Sequence, residues 1–184
     1  MSRLDLVVVL TLSASLGACG DYLGDYTLDH VDVVSQVPSS ATDGVQIPSN
    51  GNYLRIGVSS NTSLYAANTG PGLYTDADFC PMQDPERFIA FGPIASDGEP
   101  VEDYKRPKEL KRGVDQRFHY LVYIKASSPP RKLFPNSRQI SAYDLRTSKR
   151  DVCIRFHVPG YNIIRSRSGS ITIPAKLLSK APQA

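Results

Sequence analysis

Short runs of alternating apolar and polar residues, separated by proline and glycine, constrain this chain more than any other feature. In residues 118–126 the apolar residues Phe118, Tyr120, Val122 and Ile124 recur at every second position. That period is typical of a half-buried strand and not of a helix. Residues 53–59 and 151–158 alternate in the same way. The 14 prolines and 13 glycines among 184 residues favour turns and short elements over long helices.

Weaker strand patterns occur elsewhere in the chain. They cover residues 31–37, 88–94, 140–145 and 170–173, and residues 175–180 suggest a terminal turn of helix. About seven short strands joined by long loops, with little helix, predict an all-β fold in the form of an antiparallel β-sandwich. Alternating strands with one polar face favour antiparallel over parallel sheets. The absence of a useful helical pattern between the strands argues against a Rossmann-like fold.

The first eighteen residues have the pattern of a secretory signal. Arg3 gives a basic start, an uncharged apolar run covers residues 6–12, and small residues follow up to Ala18. The apolar run is too short for a bilayer, which needs about 20 apolar residues. We therefore expect residues 1–18 to be a signal peptide, residues 19–30 a short tether, and residues 31–184 a single β-sandwich domain.

The end of this signal, Leu16-Gly17-Ala18-Cys19, resembles the lipobox of bacterial lipoproteins. In that family the cysteine is acylated and becomes the first residue after cleavage, so the resemblance implies a lipid anchor on Cys19. Several acyl chains on one residue give stable anchoring, where one chain is marginal. In Gram-negative members of that family, a residue other than Asp directly after the cysteine permits transfer to the outer membrane. Here that residue is Gly20, so the resemblance implies an outer-membrane lipoprotein whose domain faces the periplasm. The alternative is a secreted protein in which Cys19 is an ordinary thiol.

Two cysteines, Cys80 and Cys153, remain after Cys19. An even pair in an oxidising compartment predicts a disulfide. The bridge would close a loop of about 74 residues, which stabilises by roughly 4 kcal/mol in the chain-entropy model. The alternative is that both cysteines are reduced thiols. A catalytic thiol is not expected, because neither cysteine lies in a recognisable Cys-x-x-Cys or Cys-His arrangement.

The charge of the chain is unevenly distributed. Residues 19–103 contain two Lys or Arg against thirteen Asp or Glu, whereas residues 104–184 contain eighteen against four. Such asymmetry suggests interaction surfaces. The favoured alternative is that the two halves interleave in one domain and neutralise each other, because sequential strands commonly mix in a compact fold.

A basic segment in the second half is the candidate partner-binding site. It comprises Lys105, Arg106, Lys108, Lys111 and Arg112. Pro107 and Gly113 indicate a loop, whose side chains would reach an acidic protein or phosphate-bearing lipid. A nucleic-acid partner is not expected, because the signal predicts export. The alternative to a binding site is a solvated loop without a partner.

Three histidines, His30, His119 and His157, lack the spacing of a zinc site. A Ser-His-Asp arrangement is a spatial feature that sequence cannot test, and no Gly-x-Ser-x-Gly elbow supports one. We therefore expect no catalytic residues, no metal and no cofactor.

The acidic residues Asp76, Asp78, Asp84 and Glu86 supply oxygen ligands that calcium prefers. Their spacing differs from an EF-hand loop, so we expect a solvated acidic loop.

The C-terminal segment carries a second resemblance. It is similar to the end of periplasmic lipoproteins described as immunity proteins of type VI secretion systems. The similar segments are Asp151-Val152-Cys153-Ile154-Arg155-Phe156, Pro159-Gly160-Tyr161, Arg165 to Gly169, and Ile171-Thr172-Ile173-Pro174. This resemblance implies a protein that binds and neutralises a toxin in the periplasm. The alternative is a structural or assembly lipoprotein of the cell envelope, whose partner is an envelope component.

Overall fold

The computed structural model describes only part of the chain. It covers residues 22–42, 51–64, 72–85, 87–97, 112–132, 135–136, 138–158 and 166–182. The predicted signal peptide, Cys19 and residues 105–111 lie outside this part. Among the described residues, no helix combines the length and the apolar character that crossing a membrane requires.

The described residues form an all-β fold with twelve strands, which confirms the predicted class and corrects the expected number of about seven. Six strands have six or more residues: β1 (Thr27–Val34), β2 (Tyr53–Ser60), β3 (Tyr74–Phe79), β4 (Ala90–Ala95), β5 (Phe118–Lys125) and β10 (Val152–Val158). Six are shorter: β6 (Ser127–Ser128), β7 (Arg131–Lys132), β8 (Gln139–Ile140), β9 (Tyr143–Asp144), β11 (Ser166–Arg167) and β12 (Ile171–Ile173). A 3-10 helix covers Ser39–Ala41, and α1 (Ala175–Lys180) follows β12.

The long strands belong to two four-stranded sheets. The first sheet has the order β1-β2-β5-β4. The second is centred on β10, with β3 on one side and β11 and β12 on the other. Every neighbouring pair in both sheets is antiparallel, so the predicted strand direction is confirmed.

One large hydrophobic cluster contains apolar side chains from both sheets. Ile56 of β2, Val122 of β5 and Phe156 of β10 are completely buried members of this cluster. The ring of Tyr26 lies edge-on to the rings of Tyr120 and Phe156, with centroids 6.0 and 5.0 Å apart. Each fully buried large apolar side chain stabilises the fold by roughly 1.5–3 kcal/mol relative to exposure. The core therefore holds the two sheets together.

Hydrogen bonds also link the edges of the two sheets. On one side, the Leu23 N–H donates to the Arg167 carbonyl oxygen at 3.0 Å. On the other, the Thr75 hydroxyl donates to the Gly92 carbonyl oxygen at 2.9 Å. These contacts satisfy polar groups that would otherwise be exposed at sheet edges.

The predicted tether is wrong for residues 22–30. Leu23 is completely buried, Tyr26 packs in the core, and β1 begins at Thr27 and ends at Val34 instead of spanning residues 31–37. The exposed polar face of Thr27–Val34 conceals this strand in the sequence. The described part of the fold therefore already includes residues 22–30, which the sequence assigned to the tether.

Other predicted elements agree with the structure to within a few residues. The strands expected at 53–59, 118–126, 151–158 and 170–173 correspond to β2, β5, β10 and β12. The strand expected at residues 88–94 corresponds to β4, which begins two residues later. The strand expected at residues 140–145 corresponds to two short strands, β8 and β9. The helical turn at 175–180 is confirmed. Strand β3 is absent from the prediction, because its two aspartates suggested a loop.

Candidate functional site

Only one member of the predicted basic binding segment is described by the structure. Lys105, Arg106, Lys108 and Lys111 lie outside the described residues, whereas Arg112 lies just before β5. The Arg112 guanidinium donates to the Gln116 carbonyl oxygen at 2.6 Å and lies 4.6 Å from the centroid of the Phe118 ring. Cation–π contacts at exposed sites stabilise by about 0.5–1 kcal/mol. The end of the basic segment is therefore held against the start of β5.

A tight turn, residues 113–117, connects this segment to β5. The Gly113 N–H donates to the Arg117 carbonyl oxygen at 2.7 Å, and the Gln116 N–H donates back to the Gly113 carbonyl oxygen at 3.0 Å. Gln116 has a φ of 64°, in the left-handed region. Val114, in contrast, is fully exposed at the apex. The 113–117 turn thus presents an apolar side chain on a fixed backbone.

His119 links the 113–117 turn to β1. Its Nε2 lies 2.9 Å from Oδ1 of Asp115, and its Nδ1 lies 3.2 Å from Oδ2 of Asp29. The contact with Asp115 is the largest influence on the pKa of His119 and raises it; desolvation opposes this, and Asp29 raises it further. The imidazolium, which donates from both nitrogens, fits between the two carboxylates.

Ser59, Asp29 and His119 meet at this position, but their connectivity differs from a catalytic triad. The Ser59 hydroxyl donates to Oδ1 of Asp29 at 2.7 Å. In a triad the histidine Nε2 receives the serine proton, whereas here Nε2 of His119 faces Asp115. Ser59 is also only 1% exposed. These contacts connect β1, β2 and β5 and do not activate Ser59.

A polar cleft of about 460 Å³ opens beside this cluster. We refer to it as the N-terminal cleft; its lining residues are Tyr22, Gly24, Asp25, Thr27, Ser60, Asn61, Thr62 and Arg117. Nη2 of Arg117 donates to the Thr27 hydroxyl at 2.9 Å and to the Ser59 carbonyl oxygen at 3.0 Å. The Tyr22 hydroxyl donates to the Asp25 carboxylate. The cleft therefore has one basic side chain, one acidic side chain and an aromatic ring at its wall.

The predicted solvated acidic loop is wrong for Asp76 and Asp78. Both lie on β3 and are 7% and 2% exposed. Oδ2 of Asp76 is 2.7 Å from Nη2 of Arg155, and its Oδ1 is 2.9 Å from Nδ1 of His157. Burial would raise the pKa of Asp76, but the contacts with His157 and Arg155 outweigh it and the pKa is lowered. This pairing of first-half acid with second-half base supports the interleaving interpretation of the charge asymmetry.

Asp78 has structural partners of its own. Its Oδ2 accepts the N–H groups of Gln83 and Asp84 at 2.8 and 2.7 Å, and its Oδ1 lies 2.5 Å from Nε of Arg87. In the part of the chain that the structure describes, no three His, Cys, Asp or Glu residues are arranged to hold a metal ion. The acidic cluster thus fixes the segment after β3.

Cys80 and Cys153 lie at disulfide-bonding distance, with sulfur atoms 2.10 Å and Cα atoms 5.1 Å apart. Cys153 is on β10, and the Cys80 N–H donates to the Asp151 carbonyl oxygen at 3.0 Å. A Cα separation in this range is ordinary for a disulfide. The bridge would join the end of β3 to the start of β10.

The 113–117 turn and the N-terminal cleft occupy the same end of the first sheet. Ser60 pairs with Phe118 at this end, and Tyr53 pairs with Lys125 at the opposite end. The turn after β9 follows the opposite end, where the Leu145 N–H donates to the Ala126 carbonyl oxygen at 2.8 Å. The two ends therefore supply candidate and control positions on one fold.

Comparisons with known proteins leave the function open. No protein-family model matches the chain, no curated protein matches its sequence, and no solved structure matches its fold. A function is therefore inferred from the chain's own motifs and from the geometry at the Ser60–Phe118 end of the sheet.

Proposed function

We propose that this protein is an exported lipoprotein, anchored through Cys19, that binds another protein at the periplasmic face of the outer membrane and catalyses no reaction. The resemblance of Leu16-Gly17-Ala18-Cys19 to a lipobox supports the anchor. The resemblance of the segment from Asp151 to Pro174 supports a more specific form, in which the partner is a secreted toxin and the protein is its immunity protein.

The 113–117 turn is the observation that carries the binding proposal. Two backbone hydrogen bonds and the Asp115–His119 contact fix the turn, while Val114 at its apex is fully exposed. Loops held on a rigid scaffold are a common place for recognition. A preformed turn also reduces the ordering that association requires. Val114 would then supply an apolar contact that a partner can bury.

The basic segment next to the turn suggests an acidic partner. Arg112 lies in it and is exposed, and the sequence places four more basic residues directly before it. Exposed charges act over about 8 Å at physiological salt. They are expected to raise the association rate more than the final affinity, because single exposed ion pairs contribute only about 0–1 kcal/mol.

A pull-down from detergent-solubilised membranes, followed by mass spectrometry, tests this proposal. The wild-type protein is compared with Val114→Asp, in which the apex becomes charged. Thr147→Asp is the matched control, since Thr147 is exposed and belongs to the turn after β9 at the opposite end. A partner captured by the wild type and by Thr147→Asp, but not by Val114→Asp, supports binding through the turn.

The identity of the captured protein separates the two forms of the proposal. A toxin, encoded next to this gene, supports immunity, whereas an envelope protein supports a structural or assembly lipoprotein. Equal capture by the wild type and both variants would contradict binding through the 113–117 turn, and a complete lack of capture would contradict protein binding itself.

A further inference from the structure

We infer that the N-terminal cleft binds the zwitterionic head group of a phospholipid, one that carries both a phosphate and an ammonium group. This inference rests on the proposed lipid anchor at Cys19, because the anchor brings the cleft to a membrane surface. Two arguments support it: the short chain between Cys19 and the cleft keeps the cleft close to the membrane, and the charged side chains of the cleft match the charges of the head group.

The chain between the anchor and the cleft is very short. Tyr22 lines the cleft and forms a bridge to Arg167 of β11, so its position in the fold is fixed. Only three residue steps separate it from Cys19, and an extended chain spans at most about 3.6 Å per residue, or roughly 11 Å in total. The head-group layer of a bilayer is itself about 5–8 Å thick on each side. Acylated Cys19 would therefore hold the cleft at the height of the head groups.

The position of Tyr22 suits that environment. Its side chain is 61% exposed, although it lies at the wall of a polar cleft. Tyrosine is enriched where membrane and water meet, because its ring is apolar and its hydroxyl is polar. The same ring is available to a cation that approaches its face.

The charges of the cleft match a zwitterion and not a simple anion. Arg117 supplies a guanidinium, the side chain best suited to phosphate oxygens, and Asn61 and Thr62 add polar groups nearby. Asp25 supplies a carboxylate for an ammonium group, beside the ring of Tyr22. One positive and one negative side chain leave the lining neutral, and the carboxylate would repel a ligand with negative charge alone. A volume of about 460 Å³ lies in the range of small-ligand sites.

Calorimetric titration of the protein, purified from membranes in detergent, tests the inference. The probes are short-chain phosphatidylethanolamine, short-chain phosphatidylglycerol and inorganic phosphate. We expect the ethanolamine lipid to bind at least about tenfold more tightly than the other two probes, since only it satisfies both Arg117 and Asp25. Loss of a charge-assisted hydrogen bond in Arg117→Gln should weaken its binding about tenfold or more. Arg146→Gln, at the opposite end of the fold, is the matched control and should leave binding unchanged.

Asp25→Asn is the second variant, and it decides the question if Arg117→Gln fails to fold by circular dichroism. It should remove the preference for ethanolamine over glycerol lipid. Equal binding of the two lipids by the wild type, tight binding of inorganic phosphate, no binding, or full binding by both folded variants would overturn the inference. Mass spectrometry of the Cys19 peptide reports the anchor separately. The titration measures binding to the cleft whether or not Cys19 is acylated. A missing lipid anchor can therefore be distinguished from a cleft that does not bind the head group.

Discussion

Replacing Asp76 with Asn tests whether the buried carboxylate of β3 neutralises the basic side chains of β10. Its oxygens lie 2.7 Å from Nη2 of Arg155 and 2.9 Å from Nδ1 of His157. Removing one partner of a fully buried pair destabilises by about 3–5 kcal/mol, because the other charge loses its compensation. The Arg155 side chain keeps 23% of its exposure, so solvent screens part of the effect. We therefore expect the free energy of unfolding to fall by about 2–4 kcal/mol.

Asp32→Asn is the matched control for this substitution. Asp32 also pairs with an arginine on a neighbouring strand, with Oδ2 2.6 Å from Nη2 of Arg55, but the Arg55 side chain is 33% exposed. This pair is partly buried but more exposed than the Asp76–Arg155 pair, and Asp32 is 15% exposed where Asp76 is 9% exposed. We therefore expect a smaller loss for Asp32→Asn, of about 1 kcal/mol. Urea unfolding of the two variants and the wild type, followed by circular dichroism, measures the difference. Equal losses, or a loss of less than about 1 kcal/mol for Asp76→Asn, would refute the neutralising role of Asp76.

The same carboxylate predicts how stability changes in acid. The pKa of Asp76 is lowered in the fold, since contacts with His157 and Arg155 outweigh the effect of burial. The ionised Asp76 therefore stabilises the fold fully when the pH is above its pKa in the unfolded chain, which is about 4. This contribution is lost as the pH falls through the lower pKa of Asp76 in the folded protein. The wild type should therefore lose stability below about pH 4 more steeply than Asp76→Asn.

Three further predictions concern His119, the disulfide and the basic segment. By NMR titration, His119 should have a pKa above its usual value, and Asp115→Asn should lower that pKa more than Asp29→Asn. Protonated His119 should stabilise the fold fully below about pH 6.5, and this contribution should be lost as the pH rises through the pKa of His119 in the folded protein. A His119 pKa that is not raised above its usual value would contradict its role as a link between Asp115 and Asp29. Non-reducing peptide mapping of exported protein should recover Cys80 joined to Cys153, and reduction should cost about 4 kcal/mol for the 73-residue separation; two free thiols contradict this. Serine at all five basic positions should lower the association rate with the partner at low salt, and an unchanged rate excludes steering. Those positions are Lys105, Arg106, Lys108, Lys111 and Arg112.

The sequence predicted the strands that carry the core, because their burial on one face leaves an alternating pattern. Strands β5 and β10 are of this kind, and their alternating apolar positions are buried except for Phe118, which is partly buried. Strand β3 was missed for a physical reason. Its aspartates are compensated by partners far along the chain, as in the Asp76–Arg155 contact across 79 positions. A local pattern shows the charge and not the partner.

The candidate site shows the same division between local and distant information. The basic segment and the Gly113 turn signal are visible in the sequence, as is the even pair of cysteines. The contact of His119 with Asp29 joins residues 90 positions apart, so no local pattern in the sequence indicates this contact. The N-terminal cleft was missed because Tyr22 and Asp25 were assigned to a tether, although Leu23 between them is buried.

The acylation of Cys19 is the measurement that tests the account most directly, since both the membrane location and the head-group inference depend on it. Cells expressing the wild-type protein or Cys19→Ser are labelled with a fatty-acid analogue, and the purified proteins are compared. We predict a labelled wild-type protein that begins at Cys19, and a Cys19→Ser variant that is unlabelled and either uncut or released in soluble form. Equal labelling of the two, or an unmodified Cys19 in the mature protein, would contradict the account.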